Sequence, residues 1–310
     1  MRIVFFGSPV TAIPSLLSLK EAGHEIKLVV TQPDSYSGRG RRSSLSPVKQ
    51  VAVELNIPVF QPQKIRKDPE ALKIIQEFNP DIIIVVAYGQ IIPSSIIYLP
   101  PYNSWNLHFS LLPKYRGAAP VQWAILKGET TTGVTIFELN EKMDEGDILA
   151  SRQVPLLPGE KAYELEARLA SLGSKLLIQT LDIINTIKKI PQDHSEATYA
   201  PLLKKEDGRI DWDKTSFDLE NQIRAFDPWP SSYTFIKNTR LKILEGENKC
   251  GVVQPCKPGQ ILSISREGIE VCCKDQSVFL IKRLQPENKL PMEAFAFSHG
   301  ARLEVGDFFT

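Results

Sequence analysis

The chain has 310 residues, too many for one typical hydrophobic core and comfortable for two domains. Hydrophobic residues at 42% and charged residues at 24% exclude the disordered and fibrous classes. The formal net charge of +1 provides no global field for a nucleic acid, so any basic surface must come from local clustering.

The opening stretch pairs Arg2 with an apolar run, as an export signal does, but Gly7 and Pro9 end it too early. It reads as a buried strand. Ile82 to Ala87 is likewise far shorter than the roughly 20 residues a membrane span needs. The expectation is a cytoplasmic protein with no membrane partner. Cys250, Cys256, Cys272 and Cys273 show neither C-x-x-C spacing nor a nearby His pair, and are expected to be reduced thiols.

The first half alternates short β-branched runs with segments of helical period, the pattern of βαβ units around a largely parallel sheet. Arg2 to Phe6, Ile26 to Thr31, Ile82 to Val86, Trp105 to Phe109 and Gly133 to Leu139 read as strands. Ala12 to Glu21, Pro47 to Leu55, Pro69 to Phe78 and Val121 to Lys127 read as helices. The first strand leads into Gly7-Ser8-Pro9, which lacks the glycine series of a dinucleotide-binding turn, so that reading is rejected while the sheet is kept.

From Glu160 to Lys189 apolar residues recur at helical spacing, predicting a long amphipathic helix that closes the first domain. Pro191 to Pro201 carries turn formers and marks a linker. Beyond it, Val252 to Pro255, Gln260 to Ser265, Gly268 to Cys272 and Val278 to Leu284 read as short strands joined by tight turns, the signature of a small barrel.

Open sheets of this kind bind ligands beyond the carboxyl ends of their strands. There the stretch Asn106 to Pro120, NLHFSLLPKYRGAAP, runs from a strand through a turn-rich loop into a helix. Asn106 and His108 are two apart, so on a strand they share a face and offer an amide donor and a titratable imidazole to one cleft. A lone histidine at a strand end is more often a satisfied structural residue; the neighbouring amide and the loop shift that balance. The acidic turn at Glu138 to Asp147, ELNEKMDEGD, is on its own an ordinary solvated loop. Its Asp144 matters if strand-end loops on one edge of the sheet converge on His108.

Taken together, Asn106-Leu107-His108, Ser110-Leu111-Leu112-Pro113, Arg116-Gly117-Ala118-Ala119-Pro120 and Met143-Asp144-Glu145-Gly146-Asp147 make the chain resemble the methionyl-tRNA formyltransferase family, within the wider group of enzymes using 10-formyltetrahydrofolate. Further matches are Thr31-Gln32-Pro33-Asp34, Gly38-Arg39-Gly40, Val85-Val86-Ala87-Tyr88-Gly89 and Ile223-Arg224-Ala225-Phe226-Asp227-Pro228-Trp229-Pro230. The resemblance implies an α/β architecture: a Rossmann-like catalytic domain (1–189), a linker (190–206) and a smaller C-terminal β-barrel resembling the OB fold (207–310). It also implies formyl transfer from 10-formyltetrahydrofolate, as co-substrate, to the amino group of methionyl initiator tRNA, without a metal.

The resemblance further implies that Asn106, His108 and Asp144 form the catalytic triad and that Ser110, Leu111, Leu112 and Pro113 contact the folate. The glycine-rich basic stretch Ser37 to Arg42 would otherwise read as a solvated loop. The resemblance puts it against the acceptor arm of initiator tRNA, with Arg39 on the key arginine, and Arg41 and Arg42 are assigned to the same contact. Flexible glycines with guanidinium groups suit phosphate contacts. Phe109 stands where many relatives carry glycine and predicts a bulkier wall beside the folate. Basic and acidic residues balance from Lys204 onward, which argues against a strongly positive tRNA track on the barrel.

Three rivals share parts of this pattern. Hydrolysis of 10-formyltetrahydrofolate would use the same His and Asp, but the GRGRR loop and the RAFDPWP segment fit the tRNA enzymes better. Formylation of a nucleotide-sugar amine uses a similar first domain. A noncatalytic binding module would have no need of the intact triad. No long exposed apolar stripe is evident, and a monomer is expected.

Overall fold

The computed structural model describes residues 1–37, 42–249 and 255–310, and the chain divides into two compact units. Unit one comprises residues 1–120, 131–155 and 166–201; unit two comprises 121–130, 156–165 and 202–310. The strands begin with β1 (Arg2–Gly7), β2 (Glu25–Val30), β3 (Ser35–Ser37), β4 (Arg42–Ser44), β5 (Val59–Phe60), β6 (Ile82–Val86) and β7 (Ser104–His108). They continue through β8 (Arg116–Gly117), β9 (Thr131–Glu138), β10 (Ile148–Pro155) and β11 (Tyr199–Ala200). The helices of the first half are α1 (Ile13–Glu21), α2 (Pro47–Glu54), α3 (Ala71–Glu77), α4 (Ser94–Ile97) and α5 (Pro120–Leu126), followed by α6 (Ala162–Asp182).

The main sheet of unit one has the order β10-β9-β7-β6-β1-β2-β5. Pairs from β7 to β5 are parallel, whereas β9 runs antiparallel to β7 and β10 antiparallel to β9. Every residue of β6 is buried, which is why Ile82 to Val86 is a continuous apolar run: a parallel strand covered on both faces has no polar side to show. One core layer gathers Val4, Phe6, Leu28, Val30, Ile83 and Val85 with Ile75 of α3 and Ile96 and Ile97 of α4. Mid-helix Gly173 of α6 lies so close to Leu107 that a Cβ there would come within 2.7 Å of a leucine methyl, and this close approach seats α6 against β7.

One expected element differs in extent and one strand was not expected. The long helix ends at Asp182, short of Lys189, because the next amides reach back only three residues, Ile183 to Thr180 and Ile184 to Leu181, tightening the chain into turns. Strand β10 is new: on the sheet edge, Ser151 to Gln153 are exposed and carry no apolar alternation to read.

Unit two contains α7 (Ser216–Ala225), β12 (Ser232–Ile236), β13 (Thr239–Lys249), β14 (Ile261–Ser265), β15 (Gly268–Cys272), β16 (Val278–Pro286), β17 (Met292–Glu293) and α8 (Ala294–Gly300). Helix α7 begins in a capping box, Thr215 and Asp218 each accepting the other's backbone N–H. The strands form an antiparallel sheet of order β12-β13-β16-β15-β14, with β17 on β16. Its two edges are joined by the C-terminal residues. Phe235 of β12 and Thr310 exchange both backbone hydrogen bonds at 2.9 Å, while Ile261 of β14 bonds to Asp307 and Gly306. That arrangement closes the sheet into the barrel expected. Trp212, Phe279, Phe309, Leu241 and Ile281 fill it, and the Trp212 indole N–H donates to Thr234 Oγ1 at 3.1 Å. The expected strand at Val252 to Pro255 lies almost wholly outside the described residues.

The expectation of four reduced thiols is corrected. Cys256 and Cys272 form a disulfide, with Cα atoms 6.3 Å apart. Backbone hydrogen bonds between Gly259 N and Cys272 O (2.8 Å) and between Cys272 N and Gln260 O (2.9 Å) lay the 256 segment along the end of β15, a proximity that spacing alone does not reveal. Cys273 is a buried thiol whose pKa burial pushes up to about 12. Cys250 lies outside the described residues.

Candidate active site

The loops following β1, β2 and β6 are cross-linked by side chains. The Ser8 hydroxyl accepts from Gln32 N (3.1 Å) and donates to Tyr88 O (3.4 Å); Gln32 Nε2 donates to Tyr88 O (2.8 Å). Thr31 shares a 2.7 Å hydroxyl contact with Ser46, which caps α2 through Lys49 N. Asp34 accepts from Lys49 and Gln61, and the Lys49 ammonium, with help from the Gln61 amide, holds its carboxyl below the usual range. Gly89 sits at φ +79, a backbone conformation that favours glycine, with the Gln32 amide packed against its α-carbon. This framework lies beside β7, the next strand of the sheet.

At the end of β7, Asn106 and His108 share a face, Asn106 in register with Val85 and Phe137 and His108 with Thr135. The Asn106 side chain is partly buried and makes no hydrogen bond among the described residues, leaving its amide available to a ligand. His108 is 6% exposed. Its Nε2 lies 2.9 Å from the Tyr115 carbonyl and so donates to it, while Nδ1 is 3.8 Å from Asp144 Oδ2, within ion-pair range. Nε2 thus has a hydrogen-bond acceptor, and Nδ1 faces a carboxylate within ion-pair range but beyond hydrogen-bond distance. The Phe137 ring sits edge-on against the imidazole.

Asp144 does not arrive at His108 by the convergence expected of parallel strand ends. Trp105 of β7 pairs with Glu138 of β9, so the loop 139–147 leaves β9 where β7 begins and must fold back to reach the histidine. The Gly117 N–H holds Asp144 Oδ2 at 2.7 Å, and Asp144 itself is in the left-handed region at φ +52. Gly117, at φ +120, would clash through any Cβ with the Ala200 carbonyl at 2.7 Å, and so has to be glycine.

The segment Ser110 to Pro113 is held from within. The Ser110 hydroxyl donates to Lys114 O at 2.6 Å, and Thr135 Oγ1 both donates to Ser110 O (2.7 Å) and accepts from Leu112 N (3.1 Å). Ser110 and Leu112 are buried; Leu111 and Pro113 are the members that retain exposed surface. Phe109 is buried at 9% exposure. Arg39 and Arg41 lie outside the described residues; Arg42 lies in β4, where only the backbone, paired with Ser37, is described.

With that geometry in view, the model of the family described as "Formyl transferase" matches residues 1–181, and that described as "Formyl transferase, C-terminal domain" matches residues 202–302. The methionyl-tRNA formyltransferase of Geobacter sulfurreducens is 43% identical over 312 residues, covering 99% of this chain and 96% of that protein. That of Acetivibrio thermocellus is 40% identical over 314 residues, covering 99% of each. This chain belongs to the methionyl-tRNA formyltransferase family.

Solved structures extend the likeness of fold. The methionyl-tRNA formyltransferase from Clostridium thermocellum superposes with a TM-score of 0.58 at 20% identity, covering 80% of this chain and 94% of that one. An N-formyltransferase from Helicobacter canadensis, in complex with folinic acid and dTDP-3-aminofucose, gives 0.65 at 20% identity, covering 90% and 98%.

The sequence names Arg116 only as part of a family motif and does not reveal the partners that surround Asn106, His108 and Asp144. Arg116 is 1% exposed and donates to Gln192 Oε1 from Nε (3.1 Å) and Nη2 (2.8 Å). Thr198 Oγ1 accepts from Tyr115 N at 2.8 Å. These partners come from a polar stretch of turn formers with no periodicity, and the only signal that could have found them was the presence of an arginine and a glutamine that fold inward.

Proposed function

We propose that this enzyme transfers the formyl group of 10-formyltetrahydrofolate to the amino group of methionyl initiator tRNA, with Asn106, His108 and Asp144 as the groups that act on the reacting atoms. The observation that carries the reading is the His108–Asp144 pair beside the Asn106 amide, which has no partner among the described residues, at the carboxyl end of β7, in a chain of this family.

The chemistry follows from donors and acceptors. The amine lone pair attacks the formyl carbon, a C–N bond forms and the carbonyl oxygen becomes an oxyanion. Asn106 Nδ2 and an N–H of His108 donate to that oxygen as its charge grows. In this arrangement Nε2–H exchanges the Tyr115 carbonyl for the oxyanion, while Asp144, fixed by Gly117 N–H, supports the imidazolium. Collapse of the intermediate breaks the bond from carbon to N10. The amine gives up one proton and N10 takes one, so tetrahydrofolate leaves neutral at that nitrogen.

Leu111 and Pro113 supply the apolar surface of the folate subsite, and Ser110 and Leu112 hold its shape from beneath. Arg39, Arg41 and Arg42 are assigned to the acceptor arm of the tRNA. The protein acts as a monomer in the cytoplasm, where its acceptor is found.

The test is labelled formyl transfer with methionyl initiator tRNA, methionyl elongator tRNA or no acceptor, followed alongside tetrahydrofolate release. Label confined to the initiator tRNA supports the reading. Tetrahydrofolate released without any acceptor points to hydrolysis instead.

A further inference from the structure

Residues 190–200, read from the sequence as the start of a linker, cross the candidate site as a strap. Ile190 forms an antiparallel bridge with Ile148, the first residue of β10. Two residues on, Gln192 Nε2 donates to the carbonyls of Asp144 (2.9 Å) and Gly146 (2.7 Å), and its Oε1 accepts twice from Arg116. Gln192 is 7% exposed, so both ends of its amide are spent inside the protein. Arg116 in turn places Nη2 2.9 Å from His194 Nδ1 and Nη1 3.3 Å from Glu145 Oε1. Farther along, Thr198 takes the Tyr115 and Arg116 amides and the Ala200 carbonyl takes those of Ala118 and Ala119.

The strap thus ties together the two loops that face the His108 ring, with the Tyr115 carbonyl accepting from Nε2 and the Asp144 carboxylate in ion-pair range of Nδ1. Gln192 is the side chain that touches both, since it grips the backbone on each side of Glu145 and the side chain of Arg116. Of the other contacts to the Asp144 loop, the Arg116–Glu145 ion pair and the Gly117 N–H lie beside Asp144, while the Tyr98 hydroxyl on Glu141 and the Glu138 N–H on the Asp147 carbonyl hold its two ends. From this geometry we infer that Gln192 is a positioning residue for formyl transfer, setting Asp144 at its distance from His108 by hydrogen-bonding the carbonyls of Asp144 and Gly146 while anchored on Arg116. The inference rests on the catalytic reading of His108 and Asp144 given above.

Gln192→Glu is the discriminating variant. It keeps an acceptor for Arg116 and removes the two N–H donors, so the carbonyls of Asp144 and Gly146 face a carboxylate. A displacement of about 1 Å in a reacting constellation costs about 100-fold, so kcat is expected to fall about 10- to 100-fold with KM for either substrate unchanged. In the Asp144→Ala background the same substitution is expected to cause no further loss, because a residue acting through Asp144 has nothing left to position. If circular dichroism shows Gln192→Glu unfolded, the near-isosteric Gln192→Met takes its place with the same expectations.

Wild-type kcat in the Gln192 variant, alongside a loss in Asp144→Ala, overturns the inference and leaves the catalytic reading standing. A loss that multiplies with that of Asp144→Ala also overturns it, since that is the mark of general destabilisation. Undiminished turnover in Asp144→Ala itself overturns the catalytic reading and the inference with it.

Discussion

The polar networks of the two units are built differently. Around Asp144 in unit one, Arg116 is 1% exposed, the Gln192 amide nitrogen donates to two backbone carbonyls and its oxygen accepts from the Arg116 guanidinium. On the barrel of unit two, Lys282–Glu247 and Arg283–Glu245 pair across strands with both partners more than 40% exposed. Buried groups are costly to leave unpaired, whereas exposed pairs gain little over water. The first network can therefore fix a geometry within fractions of an ångström, and the second mainly cancels its own charge. That cancellation fits the balance of basic and acidic residues from Lys204 onward, and it argues against a barrel face that attracts tRNA by charge alone.

The largest expected effect separates chemistry from scaffold. Asn106→Ala removes an amide with no partner among the described residues, so stability should hardly change while kcat falls about 10²–10³-fold, the loss typical of an oxyanion donor. Steady-state kinetics with a thermal melt measures both. A melt lowered as much as the rate would place Asn106 in the scaffold instead.

Next in size is Thr135→Val, which keeps shape but strips the partner from both Ser110 O and Leu112 N. Two buried backbone groups then go unmet, and denaturant unfolding should register a loss of about 1–3 kcal/mol.

Smaller still are the barrel pairs. Lys249, with help from Ser263, holds the Glu270 carboxyl below the usual range. A depressed folded pKa gives stability that is present above the unfolded value, about 4.3, and is lost as pH falls through the folded one. Melting temperatures of wild type and Glu270→Gln should accordingly differ at pH 7, with the gap shrinking only below the unfolded value and closing as pH falls through the depressed folded one. For Arg283→Ala, whose pair with Glu245 is half exposed, the expected change is about 0–1 kcal/mol. A cost as large as that of Thr135→Val would erase the contrast between the two networks.

Much of this was legible in the sequence, for reasons that also explain the gaps. The five buried residues of β6 and the two-residue spacing of Asn106 and His108 follow from strand geometry, which a run of letters carries directly. Asp144 needed the family resemblance, because its loop returns to His108 from the opposite end of β7. Strand β13 pairs with both β12 and β16 yet carries exposed Thr239, Lys242 and Glu245 among its apolar positions, which obscures its period. Barrel closure depends on Gly306 to Thr310 bonding to strands remote in sequence, and Gln192 on an inward fold within a turn-rich stretch. Contacts made by single polar groups across long separations leave no periodic trace.

His108 is placed to act on the formyl group. The most direct test of that role is the single-turnover rate of formyl transfer from 10-formyltetrahydrofolate to methionyl initiator tRNA by wild type and His108→Ala, with both substrates saturating. A rate reduced by at least about 100-fold with substrate binding intact is expected. A His108→Ala rate equal to that of wild type would contradict it.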